Sequence, residues 1–104
     1  MAEPYLSVVI PVFNEEVRIQ RTLERIVEFL DTQSYSWEVV VVNDGSTDAT
    51  ARLAGEVAAN RDDVTHLILE HRGKGWAVKH GMLAATGQYR LLCDADMSLS
   101  LIHI

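Results

Sequence analysis

Apolar runs alternate with segments of helical period along most of this chain. Leu6-Ser7-Val8-Val9-Ile10-Pro11-Val12 is β-branched and nearly unbroken, the pattern of a strand covered on both faces. Beyond Asn14, read as an N-cap with Glu15 and Glu16 in the first turn, Val17, Leu23, Ile26, Val27 and Leu30 predict a helix with one apolar stripe. Trp37 to Val42 predicts a second strand. Gly45-Ser46-Thr47-Asp48 then opens a second helix, with Ser46 or Thr47 as its cap and an inner face of Ala51, Leu53, Ala54, Val57 and Ala58. Val64 to Leu69 reads as a third strand, Gly75 to Thr86 as a third helix stopped by Gly87, and Tyr89 to Cys93 as a fourth strand. Short connections between alternating strands and helices predict right-handed βαβ units. The fold class is therefore α/β, a Rossmann-like parallel sheet with alternating helices.

In such sheets ligands bind outside the carboxyl ends of the strands. The polar clusters all fall there: Phe13-Asn14-Glu15-Glu16, Asn43-Asp44-Gly45-Ser46-Thr47-Asp48, His71-Arg72-Gly73-Lys74-Gly75 and Asp94-Ala95-Asp96. Asp94 and Asp96 stand at i and i+2 after an extended run, so their carboxylates project to one side and can hold a hard cation between them. Alone, an Asp-x-Asp also describes a solvated acidic turn. The first loop has no glycines, which excludes the Gly-x-Gly-x-x-Gly dinucleotide fingerprint. Gly73-Lys74-Gly75 is no Walker A loop, because Ile68 stands where the leading glycine belongs and Gly75 where Ser or Thr belongs. A receiver domain is disfavoured too, because the third strand ends in Leu69-Glu70 with no phosphoacceptor Asp.

Composition narrows the class. The 104 residues suit one small domain, and 48% apolar with 23% charged residues is ordinary globular usage. A net charge of −6, with the nine Lys and Arg scattered, argues against a nucleic-acid partner. The single cysteine, Cys93, excludes an intrachain disulfide and the common zinc clusters. The start lacks a cationic leader region, and no apolar stretch is long enough to span a bilayer, so the chain as given reads as cytoplasmic.

The four polar loops, in this order and spacing, resemble glycosyltransferase family 2, and within it the dolichyl- or polyprenyl-phosphate glucosyl- and mannosyltransferases. The likeness runs from Leu6 to Ser98. It implies that residues 1–98 are the nucleotide-sugar-binding half of a GT-A fold. The implied activity is inverting transfer of a hexose by single displacement, from a nucleotide diphosphate to a polyprenyl or dolichyl phosphate or another acceptor. UDP-glucose is favoured over a GDP-sugar, because the subfamily likeness leans to glucosyl transfer. By the same resemblance Mg2+ or Mn2+ is the cofactor, with Asp94 and Asp96 as metal ligands, Asp96 the more direct and Asp94 also able to meet the ribose. Asp44 would accept a hydrogen bond from the base, with the Val42 backbone nearby. Pro11, Phe13 and Glu15 would line the base and ribose pocket, Ala95 would sit between the two aspartates, and Lys74 would meet the base or the diphosphate. The family usually has Tyr where Phe13 stands, which keeps the ring contact but not a hydroxyl. The catalytic base and any membrane-attaching elements would lie beyond the chain, placing a longer protein at the cytoplasmic face of a membrane. Residues 99–104 depart from the family pattern and read as a truncation or artefact, and the chain as an N-terminal fragment inactive by itself.

Simpler readings stand beside these. Asn43-Asp44-Gly45-Ser46 also describes a plain strand-to-helix turn, and Pro11 also serves to end strand pairing. Trp37 and Trp76 read as packing residues, Glu16, Arg18, Arg21, Arg25 and Glu28 as the wet face of the first helix. The histidines His66, His71, His80 and His103 show no metal spacing. The alternative function is a non-catalytic nucleotide-binding module or pseudoenzyme. A sugar-phosphate nucleotidyltransferase is a third, disfavoured by the missing glycine-rich basic loop after the first strand.

Overall fold

The computed structural model describes residues 3–95 and 99–102. In chain order the elements are β1 Leu6–Val12, α1 Ile19–Asp31, β2 Trp37–Asn43, α2 Thr50–Ala59, β3 Val64–Ile68, α3 Lys74–Ala84, β4 Tyr89–Cys93 and β5 Leu99–Ile102. They form one sheet in the order β3-β2-β1-β4-β5, parallel through β4, with β5 antiparallel to β4. The chain winds outward from β1 to β3, then α3 carries it back across to β4, on the other side of β1. A topological switch point therefore lies between β1 and β4.

The unbroken apolar strands are explained by two cores, one on each face of the sheet. Val8, Ile10 and Val12 of β1, with Val39 and Val41 of β2, face α1 and α2, where Ile19, Leu23, Ile26 and Leu30 cover them. Val9, Val40 and Val42 face the opposite side, beneath Ala77, Met82 and Ala85. Each buried Ile, Leu or Val side chain contributes about 1.5–3 kcal/mol of transfer free energy, so this alternation fixes the register. α3 lies close on its sheet because residue 81 is glycine: a Cβ there would come within 2.6 Å of Val9 and Val42 side-chain carbons.

Pro11 has a particular consequence. The β1–β2 ladder runs through to Val12↔Asn43, but the β1–β4 ladder stops at Val9↔Leu92, two residues short of Pro11. Proline has no N–H with which to carry the ladder on, so the two central strands separate at their carboxyl ends.

The expected elements depart from the observed ones at their ends. Asn14 does not cap α1. It takes a left-handed φ of 50°, the chain turns before entering the helix at Ile19, and Val17 is left 92% exposed instead of lying on the apolar stripe. Neither Ser46 nor Thr47 caps α2. The Asp48 carboxylate accepts the Thr50 N–H at 2.9 Å, and the helix begins at Thr50, two or three residues later than expected. α3 ends at Ala84 rather than Thr86, because the Thr86 N–H donates to the Glu38 carboxylate (2.7 Å) and the Gly87 N–H to Ser7 Oγ (2.8 Å). The pattern of positions predicts no element after Cys93, yet Leu99–Ile102 pairs along β4 and covers what would be a bare edge. Among the described residues, no helix is long and apolar enough to cross a membrane.

Candidate functional site

At the switch point the loops after β1, β2, β3 and β4 enclose an open cavity of about 420 Å³. It is lined by Pro11, Val12, Phe13 and Glu15 from the first loop, Asp44 from the second, His71, Gly73 and Lys74 from the third, and Asp94 and Ala95 from the fourth. Arg18 and Ala77 complete the wall. Such crevices are where open α/β sheets bind ligands.

The first two loops hold each other in place. Asn14 N–H donates to Ser46 Oγ at 2.9 Å, and Glu15 N–H to Thr50 Oγ1 at 2.8 Å. In return, Thr47 N–H donates to Asn14 Oδ1 at 2.8 Å and Ala49 N–H to the Glu16 carboxylate at 3.2 Å. Asp48 joins this lattice. Although burial acts to raise its pKa, hydrogen bonds from the Thr50 hydroxyl and from the Thr50 and Glu16 backbone hold the carboxyl below its usual range. These polar residues look like loop composition in the sequence; in the fold they tie the loop after β1 to the loop after β2.

Asp44 organises the third loop. It is 4% exposed, and its carboxylate accepts the Arg72 N–H at 2.9 Å and the Gly73 N–H at 3.1 Å. His71 Nδ1 lies 3.0 Å from both the Asp44 carboxylate and the Asp44 carbonyl. Both partners only accept, so Nδ1 is the nitrogen that carries hydrogen. Gly45 makes the approach possible. Its φ is +66°, and a Cβ there would stand 2.7 Å from the His71 backbone nitrogen. His71 is thereby placed flat against Phe13, with ring centroids 4.1 Å apart and planes 17° from parallel.

The cavity carries charge in opposed pairs. Glu15 grips Arg18 through two hydrogen bonds of 2.8 and 2.9 Å. Lys74 Nζ meets the Asp94 carboxylate at 2.5 Å. The segment holding Asp94 and Ala95 is tied to α1, since Thr22 Oγ1 donates to the Ala95 carbonyl at 2.9 Å.

Seven of the expected site residues, Pro11, Phe13, Glu15, Asp44, Lys74, Asp94 and Ala95, thus share one cavity. Val42 does not line it; its side chain is fully buried in the core beneath α3. Asp96 lies outside the described residues. His71 and Arg18 line the cavity without having been singled out by the sequence. The HRGKG loop was a visible signal, but contact between its histidine and Phe13 depends on strand order. Trp76 and Trp37 stay outside the cavity, each under an arginine, Arg72 at 5.0 Å and Arg61 at 5.6 Å. Among the described residues, no group of three or more His, Cys, Asp or Glu is placed to share a metal. The donor chemistry nevertheless suits Mg2+ or Mn2+, which take one or two carboxylates and complete their shells with water and phosphate oxygen. The Lys74 ammonium lies against the Asp94 carboxylate, so this position already carries a positive charge beside an oxygen donor.

Known proteins resemble the chain in both sequence and shape. A dolichyl-phosphate beta-glucosyltransferase of Dictyostelium discoideum is 37% identical over 100 residues, covering 88% of this chain and 31% of the enzyme. The chain thus spans about a third of the length of such relatives. A mannosyltransferase from Pyrobaculum calidifontis, solved in complex with GDP-Man and Mn2+, superposes with a TM-score of 0.73 at 32% identity, over 92% of this chain and 28% of that one. Glucosyl-3-phosphoglycerate synthase from Mycobacterium tuberculosis, in complex with Mn2+, UDP and glucosyl-3-phosphoglycerate, gives 0.69 at 26% identity, over 88% of this chain and 33% of that one. Residues 7–101 match the family model described as glycosyl transferase family 2, and with the GT-A relatives this shows that the chain belongs to that family.

Proposed function

We propose that the cavity holds the nucleotide-diphosphate end of a sugar donor, UDP-glucose, beside Mg2+ or Mn2+, and that the whole protein passes the sugar to dolichyl or another polyprenyl phosphate. The observation that carries this reading is the convergence of Phe13, Asp44, Lys74 and Asp94 on one cavity at the switch point. Support for the acceptor and the sugar comes from the names of the sequence relatives. Support for the cation comes from Mn2+ in the structural ones. An acceptor of that kind places the reaction at a membrane surface, on its cytoplasmic side.

Each residue has a task suited to its chemistry. Phe13 offers a ring for the base, backed by His71. Asp44 fixes the third loop with three donors on a carboxylate that has about four lone-pair directions. One direction on Oδ1 remains, and it can accept a base N–H. Lys74 supplies a flexible ammonium to the diphosphate. Asp94, with Asp96, holds the cation. The cation, when bound, stabilises as a Lewis acid the negative charge that grows on the departing diphosphate.

Calorimetric titration of the folded chain with UDP and GDP, with and without Mn2+, tests the reading. UDP should bind more tightly than GDP and need the metal for full affinity. No heat of binding at millimolar UDP and Mn2+ overturns the assignment.

A further inference from the structure

Three carboxylates line the cavity, and they are held in different ways. Glu15 has a two-point clasp to a neighbouring arginine, and Asp44 is buried under three donors. Among the described residues, the Asp94 carboxylate is held by a single partner, the Lys74 ammonium, and this pair is accessible: the Lys74 side chain is 61% exposed and that of Asp94 35%. Lys74 is also the first residue of α3. A cation there faces the positive end of the helix dipole, an arrangement favourable only while an anion sits close by. The four-carbon stem of lysine lets the ammonium leave one anion for another without moving the backbone.

We propose that Lys74 is a resident counter-cation that occupies the metal position of Asp94 until a nucleotide diphosphate draws it away. This inference rests on the reading of the cavity as a nucleotide-diphosphate site. In the unliganded protein the ammonium neutralises Asp94, so a divalent cation must displace it and binds weakly. When a diphosphate enters, Lys74 moves to the phosphate oxygens, the carboxylate is released, and the cation binds where both anions meet. Metal and nucleotide then favour one another through Lys74, in addition to their direct contact, and linkage makes the effect reciprocal.

The consequence is unusual for a residue in a binding site, because removing it should strengthen one ligand while weakening the other. Lys74→Gln should bind Mn2+ alone about two- to fivefold more tightly than the unaltered chain, the range expected for breaking an accessible ion pair. The same variant should bind UDP less tightly in the presence of a chelator. The factor by which UDP raises Mn2+ affinity should therefore shrink. Lys74→Arg, which keeps the charge, should leave Mn2+ affinity low. Mn2+ binding is read by electron paramagnetic resonance of the free ion, and folding by circular dichroism.

Mn2+ affinity that is unchanged or lower in Lys74→Gln, with UDP still bound in the presence of Mn2+, overturns the counter-cation role and leaves the nucleotide reading intact. If Lys74 were merely a structural partner of Asp94, the variant would melt earlier with no gain in Mn2+ affinity, which also overturns it. Failure of the unaltered chain to bind UDP under any condition removes both.

Discussion

Replacing Asp44 by Asn should cost far more stability than so conservative a change suggests. The carboxylate is 4% exposed and accepts from two backbone N–H groups and one imidazole N–H, at 2.9, 3.1 and 3.0 Å. An asparagine keeps one acceptor oxygen but turns an amide NH2 toward donors that cannot accept from it. If its oxygen stays with Arg72, the Gly73 N–H loses its partner and His71 Nδ1 keeps only the Asp44 carbonyl. If it turns to them, the Arg72 N–H is orphaned. A hydrogen bond to a charged group contributes about 1.5–3 kcal/mol, and a buried donor left unpaired costs a similar amount. The third loop can shift a little to let water in, so the expected net loss is about 2–3 kcal/mol, against a typical stability of 5–15 kcal/mol for a whole domain. Urea denaturation of the variant should show a lower midpoint with an unchanged slope, and melting should fall by roughly 10 °C. UDP affinity should fall in parallel, because Gly73 and His71 are set by this carboxylate. A loss below about 0.5 kcal/mol, the scale of an ordinary surface substitution, would refute the view that Asp44 organises the loop.

Gly45→Ala should destabilise by about 1–3 kcal/mol, because it combines a left-handed backbone with a Cβ directed at the His71 nitrogen; urea unfolding measures it, and a neutral result contradicts the close approach. Phe13→Ala should weaken UDP binding about tenfold, the worth of one base–aromatic stack, while Phe13→Tyr should retain it; equal affinities in all three chains by calorimetry would remove the ring from the site. Stability should also depend on pH through His66. Burial pushes its imidazole below the usual value of 6.5, and Asn43 Nδ2 stands 3.3 Å from its Nε2. The unfolded chain therefore takes up this proton first: stability is full above about pH 6.5 and declines as pH falls below it. His66→Gln should flatten that part of the curve, and an unchanged slope between pH 6.5 and 5 would rule out His66 as its source.

The strands were the most legible part of the chain, because a sheet buried on both faces demands nearly continuous β-branched residues, and Val39 to Val42 can hardly serve otherwise. Helix ends were less legible. Asn14, Glu15 and Glu16 have the residue types of a helix start, yet their N–H groups donate to Ser46, Thr50 and Asp48, and the Glu16 carboxylate accepts from Ala49, some thirty residues away in the chain. Local pattern cannot distinguish a cap from such a cross-loop contact, since the same oxygen and N–H groups serve both. The candidate site followed the same division. Its loops were visible as polar clusters at strand ends, whereas the stacking of Phe13 on His71 and the pairing of Lys74 with Asp94 required strand order. Arg18 was hidden by its place next to a helix whose solvent face is rich in arginine. β5 was missed because Leu99-Ser100-Leu101-Ile102 shows no turn signal or charge that marks it as an edge, and only the open side of β4 gives it a partner.

The assignment of the cavity to a nucleotide diphosphate is tested most directly by mapping amide chemical shifts of the 15N-labelled chain during titration with UDP and Mg2+. Changes are expected at Phe13, Glu15, Gly45, Gly73, Lys74 and Ala95, on all four loops around the switch point, with the α1–α2 surface at Val27 and Val57 left unmoved. Saturable shifts confined to that other surface, or none at millimolar UDP, would contradict it.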